Sequence, residues 1–200
     1  MPRAKDAFDA MREQTRQKIE TAALSLFARK GLSVTVGEIA RAAGVSHGLM
    51  YSHYESKEAL IEALTRQAVM LSAQSIKEVA QAEEAAAVKI RQITDVMCEM
   101  LTVKDHPGTH TFMFMIQVGM SGFPMQEMTY DVILPNPIES LAQIIAAGQA
   151  EGTVTKGDPI QLAMLFWATI QGLCCYVVSG MQAPICPETL AGILVKENSK

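Results

Sequence analysis

Among side chains able to ligate a metal, carry a thiolate or move a proton, this sequence offers four histidines and four cysteines, and their spacing restricts what they can do. His106 and His110 stand four apart, the separation at which two imidazoles on one helical face clamp a divalent metal. Pro107 and Gly108 between them argue against a helix that would hold that geometry. Cys98, Cys174, Cys175 and Cys186 form neither a CxxC pair nor the dense framework of a small secreted domain. Adjacent Cys174 and Cys175 would leave a helix in different directions and make poor disulfide partners, so reduced core thiols are the simpler reading. A redox sensor acting through Cys98, Cys174 or Cys175 is the alternative. There is no glycine-rich phosphate loop, GxSxG elbow or zinc signature, so an enzyme, a cofactor and a metal site are all unexpected.

A different chemistry is offered by Ser46, His47, Gly48, Tyr51 and Ser52, whose types suit the base edges and phosphates of a duplex if a short helix presents them. The flanking sequence supplies such a helix. Thr35 with Glu38 three residues on is a capping box opening a helix whose buried face is Val36, Ile39, Ala40 and Ala43, and Gly44 ends it. Ser46 then caps a third short helix running to about His53, and Ser56 caps a long fourth carrying Leu60, Leu64, Ala68 and Leu71. Ahead of them Ile19, Ala22, Ala23, Leu26 and Phe27 make one apolar stripe, followed by Arg29, Lys30 and a stop at Gly31. Helix, glycine turn, helix is the helix-turn-helix pattern.

In that arrangement Leu49, Met50 and Tyr54 are expected to pack the third helix onto the first two. Gly48 has two readings: its missing side chain lets the backbone approach a duplex, or it relieves crowding against the first helix. No Lys or Arg lies between Ala42 and Ser56, so the bidentate arginine contact to guanine is not available from this helix. Base reading would fall to His47, Tyr51, Ser52 and apolar contacts with thymine methyls. Non-specific attraction would come from Arg12, Arg41, Lys57 and a tail carrying Arg3 and Lys5.

Charge is distributed accordingly. The net charge is −4, yet residues 1–60 hold 9 Lys and Arg against 7 Asp and Glu, and the remainder holds 8 against 14. Beyond residue 80 the helical period recurs, while alternating strand patterns are absent, so the fold class is all-α. Helices are expected from Glu83 to about Val103, Thr109 to about Met120, onward to about Ile133, Ile138 to Ala150 and Pro159 to about Met181, with a short one closing the chain. The N-terminus lacks a signal-peptide pattern, and the apolar stretch from Ile160 to Val178 falls just short of a membrane span, so a cytoplasmic protein outside the membrane is expected.

Residues 19–60, above all IARAAGVSHGLMYSHYESKEAL, resemble the N-terminal region of the TetR family of bacterial transcriptional repressors. Thr35, Ile39, Ala40, Ala43, Gly44, Val45, Ser46, Gly48, Tyr51, His53, Tyr54, Lys57 and Leu60 stand at the family's spacing. Ser52 departs from the family's frequent bulky aromatic or polar residue there, and Tyr54 from its frequent phenylalanine. The resemblance implies a three-helix DNA-binding head, residues 1–56, and a helical ligand-binding and dimerisation body, residues 57–200. It implies phosphate contacts from Tyr51, His53 and Lys57, with Thr35 beside them; for His53 a purely structural hydrogen-bonding role is the equal alternative.

For the body, the resemblance implies a pocket for a small, largely apolar effector whose binding releases a palindromic operator. Seven methionines between Met97 and Met128 suit adaptable packing in such a pocket as well as in an ordinary core. Met97, Met100, Phe112, Met115, Trp167, Gln171 and Tyr176 are the candidate lining. The helices near 138–150 and 159–181 resemble those through which family members form homodimers, and the second is apolar almost all round. A binding module for a hydrophobic metabolite that keeps the scaffold without reading DNA is the rival interpretation.

Overall fold

The computed structural model describes residues 4–123 and 136–196; the helix expected to reach Ile133 lies outside them, as do Arg3, Met125 and Met128. Within the described residues the chain is all-α, with the elements α1 (Ala4–Lys30), α2 (Val36–Ala43), α3 (His47–His53), α4 (Lys57–Gln81), α5 (Ala86–Thr102), α6 (Pro107–Met120), α7 (Pro137–Ala150), α8 (Pro159–Val178) and α9 (Pro187–Ala191). No strand occurs among them, only an isolated antiparallel bridge between Val154 and Val195.

The caps explain most of the boundaries. Thr35 and Glu38 close the capping box reciprocally, and Gly44, at φ 67°, ends α2 in the left-handed conformation that a side chain resists. Ser46 Oγ accepts from Leu49 N at 3.1 Å and Ser56 Oγ from Ala59 N at 3.0 Å, which opens α3 and α4. Two prolines start helices rather than break them. Pro107 and Pro137 occupy the first turns of α6 and α7, where a missing N–H is no loss. The helix expected from Thr109 begins two residues earlier, at Pro107, and leaves His106 outside it, so no single helix carries both His106 and His110; His106 Nδ1 accepts from Gly108 N at 3.0 Å. At the other end, α1 reaches back to Ala4, so what reads as a basic tail is helical from that residue onward; no glycine or proline interrupts residues 4–30.

The described residues divide into two compact units: 4–68 with 110–123, and 69–109 with 136–196. In the first, Ile19, Ala23, Phe27, Ile39, Met50 and Leu60 share a core with Phe114 and Val118 of α6. Phe27 and Phe114 stack with ring centroids 5.6 Å apart. In the second, α7 packs along α8, and α9 against α5. Gly148 permits a close approach there, since a Cβ on it would come within 2.3 Å of Val154 Cγ2. The turn after α7 is tied down from several sides: Gln149 Nε2 donates to the Thr155 and Gly157 carbonyls, Thr155 N to Leu194 O, and Lys196 N to Thr153 O.

Candidate nucleic-acid interface

α3 is two turns long, too short to persist on its own, and its conformation is set by what it packs against. Its inward side is Met50, 1% exposed, with Tyr54 at 8% just beyond its end. Its outward side holds His47, Gly48, Tyr51 and Ser52, all exposed. The His47 ring meets Tyr51 edge-on at 5.1 Å, so the two aromatic candidates stand side by side. Leu49, expected in the core, is instead 42% exposed: with so short a helix, one buried side chain and the residue after the helix suffice to seat it. A Cβ on Gly48 would meet nothing within 4 Å, so relief of crowding does not account for that glycine.

The remaining candidates surround α3 at helix starts. Thr35 is exposed but its side chain is engaged, accepting from Glu38 N at 3.3 Å and donating to the Glu38 carboxylate at 3.0 Å. The Thr35 backbone N–H, then Lys30 and the Thr35 hydroxyl hold the Glu38 carboxyl down at about 2. Ser46 is exposed as the cap of α3, and Ser52 Oγ donates to Leu49 O at 2.7 Å. Lys57 is half-buried, its Nζ donating to the Leu32 carbonyl at 2.8 Å, which braces α4 against the loop after α1. His53 is half-buried, and the Glu13 carboxyl is held below its ordinary value chiefly by its bond to Arg16.

One cluster escapes a reading by motif. Glu20 is 6% exposed, and its Oε1 accepts from Arg16 Nη1 at 2.7 Å and from the Tyr54 hydroxyl at 2.5 Å. Burial and the bond to Glu20 push the Tyr54 phenol upward, so it remains a donor. Arg16 also grips Glu13 with two parallel bonds, at 2.8 and 2.7 Å. The signal available in the sequence is positional: Glu20 precedes Ala23 and Phe27 by three and seven, on the face that α1 buries.

The expected pocket residues fall in different places. Phe112 and Met115 belong to the first unit and are half-buried. In the second, Met97 is half-buried and Met100 is buried close to Gly108, where a Cβ would lie 3.0 Å from Met100 Cγ. Trp167 Nε1 donates to Pro137 O at 3.2 Å, and its ring sits edge-on to Phe166. Gln171 and Tyr176 lie on the exposed face of α8 with Met164, Leu165, Ala168, Gly172 and Cys175. α8 also reaches the length and apolarity of a membrane span, which the sequence reading sets just short; under a quarter of that stretch, 22%, is buried. Among the described residues no group of three His, Cys, Asp or Glu side chains is placed to hold a metal. Cys98 and Cys174 are buried while Cys175 and Cys186 are exposed, and burial pushes the Cys174 thiol up to about 12.

Comparison with known proteins agrees with this geometry. The profile of bacterial regulatory proteins of the tetR family matches residues 19–64. The chain is 28% identical over 131 residues to the HTH-type transcriptional regulatory protein RaaS of Mycobacterium tuberculosis, covering 66% of this chain and 57% of that protein. It is 49% identical over 49 residues to the HTH-type transcriptional regulator AcrR of Shigella flexneri, covering 24% of this chain and 23% of that one. The match thus spans less than two thirds of either relative's length. A crystal structure of a gamma-butyrolactone receptor described as ArpA-like shares the fold, with a TM-score of 0.69 and 23% identity over 93% of this chain and 90% of that one.

Proposed function

We propose that the chain, whose residues 19–64 match the profile of bacterial regulatory proteins of the tetR family, is a cytoplasmic, ligand-responsive transcriptional repressor of that family that binds a palindromic operator as a homodimer. The observation that carries the proposal is the two-sidedness of α3: Met50 is sealed in the core while His47, Gly48, Tyr51 and Ser52 are presented outward together. A helix so held can enter a major groove with its N-terminal residues against base edges. Thr35, Ser46, His53 and Lys57 would contact phosphates around it. Leu49, exposed beside them, is a fitting partner for a thymine methyl. In functional terms residues 1–56 read DNA and residues 57–200 sense and dimerise.

The dimer would form through α7 and α8, whose exposed face carries Leu165 at 62%, Met164 and Tyr176 at 53% and Ile160 at 44%. So large an apolar strip on a monomer marks a partner surface. A two-fold pair then offers two heads to successive turns of one duplex face. A small, largely apolar effector in the body would release DNA by preferring the state in which the heads no longer fit. The gamma-butyrolactone receptor that shares this fold is an example of a small-ligand receptor on such a scaffold. The redox alternative finds little support at Cys98 and Cys174, whose buried thiols are both pushed upward by desolvation, away from the reactive thiolate.

A gel shift with the DNA upstream of the protein's own coding region tests the reading. A discrete complex that survives excess random duplex is the expected result, and a chain that retards no fragment, or all of them equally, is not a repressor. The salt dependence should be shallow, since residues 42–56 carry no Lys or Arg; a log–log slope near about −10, that of a large repressor, contradicts the sparse-contact picture.

A further inference from the structure

We propose that Arg16, Glu20 and Tyr54 form a positioning lock that sets the pitch of α3 on α1, so that Glu20 and Tyr54 govern discrimination between DNA sites from within the core. The inference rests on the DNA-reading role given to α3 above. A carboxylate as buried as Glu20 persists only when its charge is paired and hydrogen-bonded, and here a single oxygen takes both donors. Arg16, gripped by Glu13 one turn back, is the fixed end of the arrangement. Tyr54 is the movable end. It is the C-cap of α3, with its N–H on Met50 O at 3.1 Å and its hydroxyl on a residue 34 positions earlier in the chain.

α3 is therefore attached at its middle by Met50 and at its far end by Tyr54. Met50 is apolar and non-directional; it holds the helix down while permitting it to roll. The Tyr54–Glu20 bond runs to a charged acceptor and specifies direction. Phenylalanine at position 54 would fill the same space and abandon the bond, which separates packing from aiming.

The test compares the full chain with Tyr54→Phe by amide hydrogen exchange and by affinity for the upstream operator fragment and for random duplex, with the DNA-competent fraction counted by stoichiometric titration. In Y54F the amides of residues 47–53 should exchange on the order of tenfold faster while those of 36–43 are unchanged, as loss of a hydrogen bond to a charged group implies. The operator-to-random affinity ratio should fall by a similar factor, because phosphate contacts common to both duplexes persist. Unchanged protection of 47–53 overturns the lock, as does a loss shared equally by α2 and α3 and by both duplexes. If the unaltered protein does not discriminate operator from random DNA, the function assigned to the head fails, and the exchange comparison still decides the lock. Should Y54F not fold, Glu20→Gln keeps an acceptor oxygen without its charge and should show the same selective loss in smaller degree; an E20Q chain with unaltered α3 protection is equally fatal.

Discussion

Glu38 shows how much one side chain does at the front of this molecule. Its carboxylate accepts from the Thr35 backbone and hydroxyl and pairs with Lys30 at 3.2 Å. The folded chain lowers its carboxyl from 4.5 to about 2, so its stabilising contribution is complete above about 4.5 and disappears as pH falls toward 2. Glu38→Gln does not titrate. Thermal melts should therefore show E38Q below the unaltered protein at pH 6, with the gap narrowing through that window and closing near pH 2. A gap that is constant with pH would mean that the capping box stabilises α2 by geometry alone. Thr35, Glu38, Gly44 and Ser46 were legible in the sequence because a cap is a local event. Leu49 and Glu20 were not, since which side of a two-turn helix or of a long one is covered depends on distant partners.

Among the elements, α6 joins a core that local sequence assigns to the first four helices. Phe114 is fully buried against Phe27 although 87 positions separate them, and no local period could reveal that pairing. Phe114→Ala should destabilise the chain by about 3–5 kcal/mol in urea unfolding, the range for emptying a buried phenylalanine site. A loss below about 1 kcal/mol would show that the core closes without α6. The α7 turn offers the opposite experiment. Gly148→Ala drives a methyl group into Val154 and Ala86, and overpacking of this kind costs about 1–3 kcal/mol. Val154→Ala in the same chain should recover much of that loss, a non-additivity that denaturant titration of the two single variants and the double variant would detect. Here the sequence placed a break between the helices ending at Ala150 and starting at Pro159, and not the squeeze that requires Gly148.

For the molecule as a whole, the decisive feature is the exposed strip on α8. Its apolar residues were visible in the sequence because they lie on every side of the helix, whereas the side covered by α7 could only be identified in three dimensions. If the proposed dimer forms through this strip, Leu165→Glu, placed at its most open point, should yield a monomer in sedimentation velocity while leaving the helical content of each chain intact. A dimer that withstands L165E would move the contact to another face.

Two neighbouring thiols supply a built-in gauge of the proposed association. Cys174 is enclosed in its own chain, and Cys175, one step round the helix, opens onto the strip beside Tyr176. A maleimide reagent should tag Cys186 promptly at any dilution, whereas the rate at which it tags Cys175 should track the population of separated chains. Titrating protein concentration against the ratio of these two modifications, read by peptide mass, would yield the pairing constant of the native sequence without altering a residue.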